Sequence, residues 1–506
     1  MPVQKIITAT LVGIDASLVE VEADVSNGLP TTIMVGLPDT AIQESRERVR
    51  SAIKHSGFKY PQTRVSINLA PGFLPKIGTQ FDVPIALAIL LAAGLKTTDL
   101  TNSLFVGELS LDGTVKPTTG VLAMVEAAQK AGFSSVYIPE QNLSMANLIK
   151  NITVYPVKSL KQLIDHVCGR DEIKTDSMVP IKTNLGNTES EKNFSQIAGQ
   201  AHAKRALEIA ASGGHNILMT GPPGSGKTML AKALPEILPE LNHEEILALT
   251  KIYNSAGRLQ TGVVNCRPVR SPHHTASSIA IIGGGGTPRP GEVTLAHHGI
   301  LFLDEFPEFS RTVLEVLRQP LEDNTITITR SRQSYTFPAS FILVAAQNPC
   351  PCGNFGEPAL DCVCSVQSIQ KYKKKISGPL LDRIDLHISV PRLAYKEMFS
   401  KQKEAESSEQ VRARVSTARA VQTKRFGKLQ TNNEMNPNQL KKFCSVNQEC
   451  SNLLEQAANK YQLSGRSIHR ILKVARTIAD LGNSQEIQLE HLAESLQYRL
   501  REGAAT

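Results

Sequence analysis

Two short stretches of this sequence combine residue types suited to holding and cutting a polyphosphate. The first is Gly221-Pro222-Pro223-Gly224-Ser225-Gly226-Lys227-Thr228, preceded by the apolar run 217–219 and followed by a helical pattern over 229–234. It fits G-x-x-x-x-G-K-[ST], the P-loop pattern. The glycines let the backbone turn tightly enough to aim N–H groups at phosphate, and the helix N-terminus adds a positive partial charge. Lys227 is suited to neutralise β- and γ-phosphates, and Thr228 to offer its hydroxyl to Mg²⁺. A glycine turn that merely ends a strand is the competing reading, and the flanking strand and helix argue against it. The expected ligands are ATP and Mg²⁺.

The second stretch is Gly299-Ile-Leu-Phe-Leu-Asp304-Glu305. Four apolar residues predict a buried parallel strand, with Asp304 emerging at its C-terminal end, where α/β sheets bind ligands. Asp304 is the expected Mg²⁺ ligand, and Glu305 is placed to polarise the attacking water. Alone this pattern is weak; downstream of a P-loop it is specific. A further apolar strand over 341–346 ends in Gln347-Asn348, and the Asn348 amide suits orientation of the water or the γ-phosphate. Arg383, in GPLLDRID, has two readings. It is either an intrachain partner of Asp382 or Asp385, or a finger that reaches a neighbouring subunit's γ-phosphate with forked donors. The rest of the site favours the finger. In SGRSIHRIL, Arg466 is the candidate phosphate sensor of the C-terminal helices, with Arg470 as its rival.

The elements that must position these residues divide the chain into an α/β segment over 1–170, a polar linker over 171–192, an α/β segment over 193–392 and a helical segment over 393–506. In the first segment, alternation at Val19, Val21, Ala23 and Val25 predicts a half-buried strand. Residues 39–57 predict a helix ending on Gly57, and the run after Pro84 a buried helix. Residues 104–111 read as one strand. Near the C-terminus, Val411, Val415 and Ala418 share one helix face, and Ile468, Ile471, Leu472, Ala475, Ile478 and Ala479 form an apolar stripe that reads as core.

Taken together, these residues resemble the YifB/ComM family of Mg-chelatase-like AAA+ ATPases, over nearly the whole chain. The stretches that carry the resemblance are RPVRSPHHTAS, PRPGEVTLAHHGILFLDEFPEF, LVAAQNPCPCGNFG, KISGPLLDRIDLHI and HRILKVARTIADL. The resemblance implies an AAA+ core with a C-terminal helical lid. Lys227, Thr228, Asp304, Glu305, Asn348 (as sensor 1) and Arg466 (as sensor 2) then serve one subunit, and Arg383 the next. It also implies an insert in the helix before the Asp304 strand and a pore-facing β-hairpin near 325–337. The alternating β-branched residues of that stretch support the hairpin independently. Residues 1–170 resemble the proteolytic domain of Lon, a ribosomal-S5-like fold. Gln80 stands at the serine position of that domain and Leu122 at the lysine position. Ser-Lys hydrolysis needs a hydroxyl nucleophile and an amine base, and neither is present. The expected role is structural or DNA-contacting.

Cys350-x-Cys352 and Cys362-x-Cys364 bring four soft ligands from two short turns, which predicts structural Zn²⁺, although C-x₂-C is the commoner spacing. Four free thiols in a loop is the alternative. The adjacent pairs His273-His274 and His297-His298 lack chelating spacing and read as loop and strand-edge residues. Between residues 365 and 428 stand fifteen Lys/Arg against six Asp/Glu, an excess of nine in a chain whose net charge is +8. Lys371, Lys373, Lys374 and Lys375 lead the run, followed by Arg412, Arg414, Arg419, Lys424 and Arg425. Such a run is usually a solvated helix face; the alternative is a surface that tracks phosphates. On the hairpin, Arg330 and Arg332 share one strand face and are better placed to meet DNA.

The chain has 506 residues, 41% hydrophobic, with no Trp and 5% aromatics. Wholesale disorder, a surface built from aromatic stacking and ribosome-like basicity are excluded. The apolar run 83–95 is too short to span a bilayer and the N-terminus lacks a signal layout, so the expectation is a cytoplasmic protein without membrane contact. The resemblance implies a hexameric helicase that promotes DNA branch migration during recombination and natural transformation. The competing classes are a magnesium-chelatase-type motor subunit that remodels a protein partner, and an ATP-dependent protease.

Overall fold

The computed structural model describes residues 4–175, 183–185, 193–285, 288–330, 333–357, 361–393 and 406–499. The N-terminal segment is built on a seven-stranded sheet in the spatial order Thr31–Val35, Arg64–Ala70, Asp15–Ser26, Gln4–Val12, Ser103–Phe105, Ser135–Pro139, Thr153–Val157. Val19, Val21 and Ala23 are buried as their alternation requires, and Val25 is half-buried. Helix Thr40–His55 starts where the Asp39 side chain accepts a hydrogen bond from the Ile42 N–H, which satisfies an orphan donor of the first turn. Helix Asp82–Ala92 begins two residues before the expected Pro84, because a proline fits the first turn, where its missing N–H costs nothing. The stretch expected as one strand is instead two, Ser103–Phe105 and Glu108–Leu109. They part at Gly107, where a Cβ would stand 2.7 Å from Val83, so the chain passes too close to the buried helix to carry a side chain.

The polar segment 171–192 reads as a linker in the sequence. Within it, Thr183–Leu185 forms a strand parallel to Val263–Val264. Residues 176–182 and 186–192 lie outside the described residues, as does the hairpin residue Arg332.

The second sheet has five parallel strands in the order Val269–Arg270, Ile300–Leu303, Ile342–Gln347, Ile217–Thr220, Leu386–Ser389. In-register pairing of Thr220 with Gln347 and of Leu303 with Ala345 brings the C-terminal ends of the strands to one edge. The hairpin pairs Thr325–Arg330 with Gln333–Pro338, from Thr325 opposite Pro338 to Arg330 opposite Gln333. The C-terminal helices pack behind this sheet. Val411 and Val415 of Ser408–Phe426, and Val474 and Ile478 of Gly465–Leu481, share an apolar cluster with Ile217, Leu230 and Val344. Ile471, Leu472, Ala475 and Ala479 pack with Leu492 and Leu496 of Leu489–Gln497 in a second cluster.

The two sheet systems are docked through helix His243–Ser255. Its Lys251 forms ion pairs with Asp15 and Glu126 of the N-terminal segment. Ile246, Leu247 and Val263 join the apolar cluster of Val121, Leu122 and Met124. Gly13, between the first two strands, faces the Tyr335 ring of the hairpin, 3.2 Å from where its Cβ would stand. Among the described residues, no helix is long and apolar enough to cross a membrane.

Candidate active site

The loop between strand Ile217–Thr220 and helix Lys227–Ile237 has the backbone its glycines promise. Gly224 and Gly226 have φ of 80° and 91°, in the left-handed region that favours glycine. At Gly221 the limit is space: a Cβ would stand 2.2 Å from the Val390 carbonyl. Lys227 donates to the carbonyls of Gly221 (2.7 Å) and Pro222 (2.8 Å) and to the Asn348 side-chain oxygen (3.3 Å). Burial pushes the Lys227 ammonium down from its usual pKa, and Asp304 opposes that shift. An arriving polyphosphate would supply the remaining countercharge.

Thr228 donates to Asp304 at 3.0 Å, so a hydroxyl and a carboxylate meet at the loop. This all-oxygen pair fits a hard, octahedral Mg²⁺ that keeps water and phosphate oxygens as its other ligands. Glu305 follows with φ 51°, and its N–H donates to the Asp304 carboxylate. Its own carboxylate lies 3.4 Å from His274 Nδ1.

His274 is a functional candidate that spacing rules set aside. It follows strand Val269–Arg270, at the same edge of the sheet as Asp304 and Asn348. Arg392 is a second. It follows strand Leu386–Ser389 and donates to the Pro223 carbonyl at 3.1 Å. Both come from the rule that every parallel strand delivers its next residues to the ligand edge.

Within one chain the guanidiniums of Arg383 and Arg466 hold the same carboxylate, Glu322, with Arg466 at 3.0 Å. Burial disfavours the Glu322 charge, but Arg383, Arg466 and Arg470 together hold its carboxyl below the usual range. Arg383 pairs with neither Asp382 nor Asp385. Asp382 meets Arg499, and Asp385 meets Arg470 and accepts from the Asn216 N–H. Arg470 is thereby fixed between the C-terminal helices and the sheet. Although burial disfavours its charge, Asp385 is held well below the usual carboxylate range by Arg470 and His215.

Directly beyond Asn348, the thiols of Cys350, Cys352, Cys362 and Cys364 lie within 4.8 Å of one another, with sulfur separations of 3.3, 3.6 and 3.7 Å among the first three. Four thiolates around a tetrahedral Zn²⁺, each at about 2.3 Å, stand about 3.8 Å apart, so the donor set fits that ion. The Asn354 N–H, and then the Cys350 thiol, bring Cys352 down to about 6. In this turn, Gly353 approaches the P-loop so closely that a Cβ would stand 2.4 Å from Pro223.

The basic run splits in two. Arg412 meets Glu236, Arg414 meets Glu208 and Glu406, Arg419 donates to the Ala211 carbonyl, and Arg425 meets Asp480. These side chains fasten helix Ser408–Phe426 in place and do not form an open basic face. Lys371, Lys373, Lys374 and Lys375, on and just beyond helix Val366–Lys373, remain exposed. In the N-terminal segment, Gln80 is buried and donates to the Ile77 carbonyl, and Leu122 is fully buried in the core.

Comparison with known proteins joins these observations. Residues 193–398 match the magnesium chelatase, subunit ChlI family, residues 21–142 the subunit ChlI of Mg-chelatase family, and residues 405–499 the C-terminal family of the same subunit. The competence protein ComM of Haemophilus influenzae is 43% identical over 497 residues, covering 96% of this chain and 95% of that protein. YifB of Escherichia coli is 39% identical over 496 residues, covering 97% and 96%. Lon protease 2 of Bacillus subtilis is 31% identical over 124 residues, 24% of this chain and 22% of that protein. The chain belongs to the YifB/ComM family of Mg-chelatase-like AAA+ ATPases.

Proposed function

We propose that this chain is a ring-forming, ATP-driven motor on DNA, a helicase that promotes branch migration in recombination and natural transformation. The observation that carries the ring is the sharing of Glu322 by Arg383 and Arg466. The P-loop side holds Lys227, Thr228, Asp304, Glu305 and Asn348, but both candidate arginine sensors are spent on a carboxylate elsewhere in the same chain. A neighbouring subunit, in a hexamer, presents Arg383 and Arg466 together to the γ-phosphate. Bound ATP supplies the phosphoryl group and Mg²⁺ its charge neutralisation. The chain orients the phosphates with the 221–228 loop, holds Mg²⁺ on Thr228 and Asp304, and takes the water's proton on Glu305. The C-terminal helices act as the lid. Zn²⁺ on Cys350, Cys352, Cys362 and Cys364 fixes the turn beyond Asn348.

Likeness to a competence protein, the hairpin and the exposed lysines support DNA as the partner. The reading is tested by ATP turnover of the purified protein with and without single-stranded or branched DNA. DNA is expected to raise turnover several-fold. Glu305→Gln is expected to keep ATP binding while hydrolysis falls about 100-fold or more. Stimulation by a protein partner with no response to DNA would favour a chelatase-type motor instead. Normal hydrolysis by Glu305→Gln would remove the base assignment.

A further inference from the structure

The exposed lysines are not scattered over an open helix face. Lys371, Lys374 and Lys375 line one groove of about 420 Å³, and its opposite wall is Pro307, Glu308, Phe309 and Arg311. Their i, i+3, i+4 spacing sets the three lysines on one side of the helix end. The other side is anchored, with Ile369 and Tyr372 buried. Lys373 does not enter the groove; its ammonium lies 5.5 Å from the centre of the Phe355 ring, in the cysteine turn. Four cations therefore face one carboxylate, Glu308, which pairs with Lys375 at 2.8 Å. Among the described residues, no carboxylate lies within 4 Å of Arg311, Lys371 or Lys374.

We propose that this groove binds the phosphodiester backbone of DNA, with Arg311, Lys371, Lys374 and Lys375 as its cations. The site deepens the function proposed above and rests on it. Ammonium groups on flexible stems neutralise successive phosphates without reading bases, which suits a motor that must pass any sequence. The alternative cation source in this part of the sequence, the arginines of Ser408–Phe426, is engaged in fastening that helix. The groove's position also connects it to hydrolysis. Its wall begins at the turn Phe306–Glu308, which follows Glu305 directly. A phosphate that takes Lys375 from Glu308 releases that turn from the lysine helix, so backbone occupancy is felt one turn from the catalytic base.

The test compares wild type with Lys371→Ala/Lys374→Ala by fluorescence anisotropy on single-stranded oligonucleotides across a salt series, together with ATP turnover. Neither lysine contacts the nucleotide loop. The expected result is DNA-free turnover at the wild-type rate, loss of most DNA stimulation, and a plot of log affinity against log salt that is shallower by about 1.4, or 0.7 for each lost contact. An unchanged slope and affinity in the variant, with DNA binding intact in wild type, would overturn the groove and leave the motor reading standing. No DNA binding by wild type would overturn that reading, and the groove with it. Loss of ring assembly in the variant, seen by sedimentation, would assign the groove to an acidic face of a neighbouring subunit and overturn the proposal.

Discussion

His274 Nδ1 and the Glu305 carboxylate meet at 3.4 Å, and if Glu305 is the proposed general base this contact would help to aim it. Glu305 itself has left-handed backbone, and its N–H donates to the Asp304 carboxylate. His274→Ala is expected to lower kcat about tenfold with KM for ATP nearly unchanged, because orientation is lost and binding is not. Steady-state kinetics check this, and His274→Gln, which keeps a polar group in reach, should recover part of kcat. A raised KM with unchanged kcat would make His274 a binding residue. The P-loop, Asp304 and Glu305 were legible in the sequence because their chemistry demands particular residues at fixed short spacing. His274 was not, because its partner is thirty-one positions away and adjacent histidines carry no chelating signature. The pairing of Arg383 and Arg466 through Glu322 was hidden for the same reason: one carboxylate binds two arginines that are remote in sequence.

At the scale of elements, the cysteine turn is a staple between two working parts. It begins two residues after Asn348, touches the P-loop at Gly353 and Pro223, and ends at Cys364, next to Ser365, the residue that caps the lysine helix. If zinc closes it, metal analysis of the purified protein should find about one zinc per chain, and Cys352→Ser should reduce that content sharply. Chelation under reducing conditions should then loosen the 350–364 turn, read as faster amide exchange there. Absence of stoichiometric zinc would leave four free thiols. Composition gave this cluster its identity, but only the fold gave it neighbours. Element boundaries were legible wherever caps and alternation acted locally, as at Asp39 and along Val19 to Val25. They failed at Gly107, where a helix packed across the strand sets the break. The charge excess of 365–428 was real in composition but does not make one open basic face, because Arg412, Arg414, Arg419 and Arg425 serve packing.

For the whole molecule, the two arginines on Glu322 bear on the proposed ring. If Arg383 and Arg466 leave it together to reach a neighbour, each catalytic site belongs to two chains. Mixing inactive Glu305→Gln with inactive Arg383→Ala should then restore ATPase activity, because some junctions pair an intact base with an intact finger. Mixed rings that form and stay inactive would place Arg383 in its own subunit's fold. The same scale gives meaning to the docking of the two sheets. Lys251 reaches Asp15 and Glu126, Ile246 and Leu247 sit in the other segment's apolar cluster, and Tyr335 of the hairpin lies against Gly13. The N-terminal segment is thus geared to the hairpin from outside. A hairpin that moved against that segment would have to part the Tyr335 ring from Gly13, so the two are coupled like neighbouring teeth and a bulkier residue at position 13 would jam them.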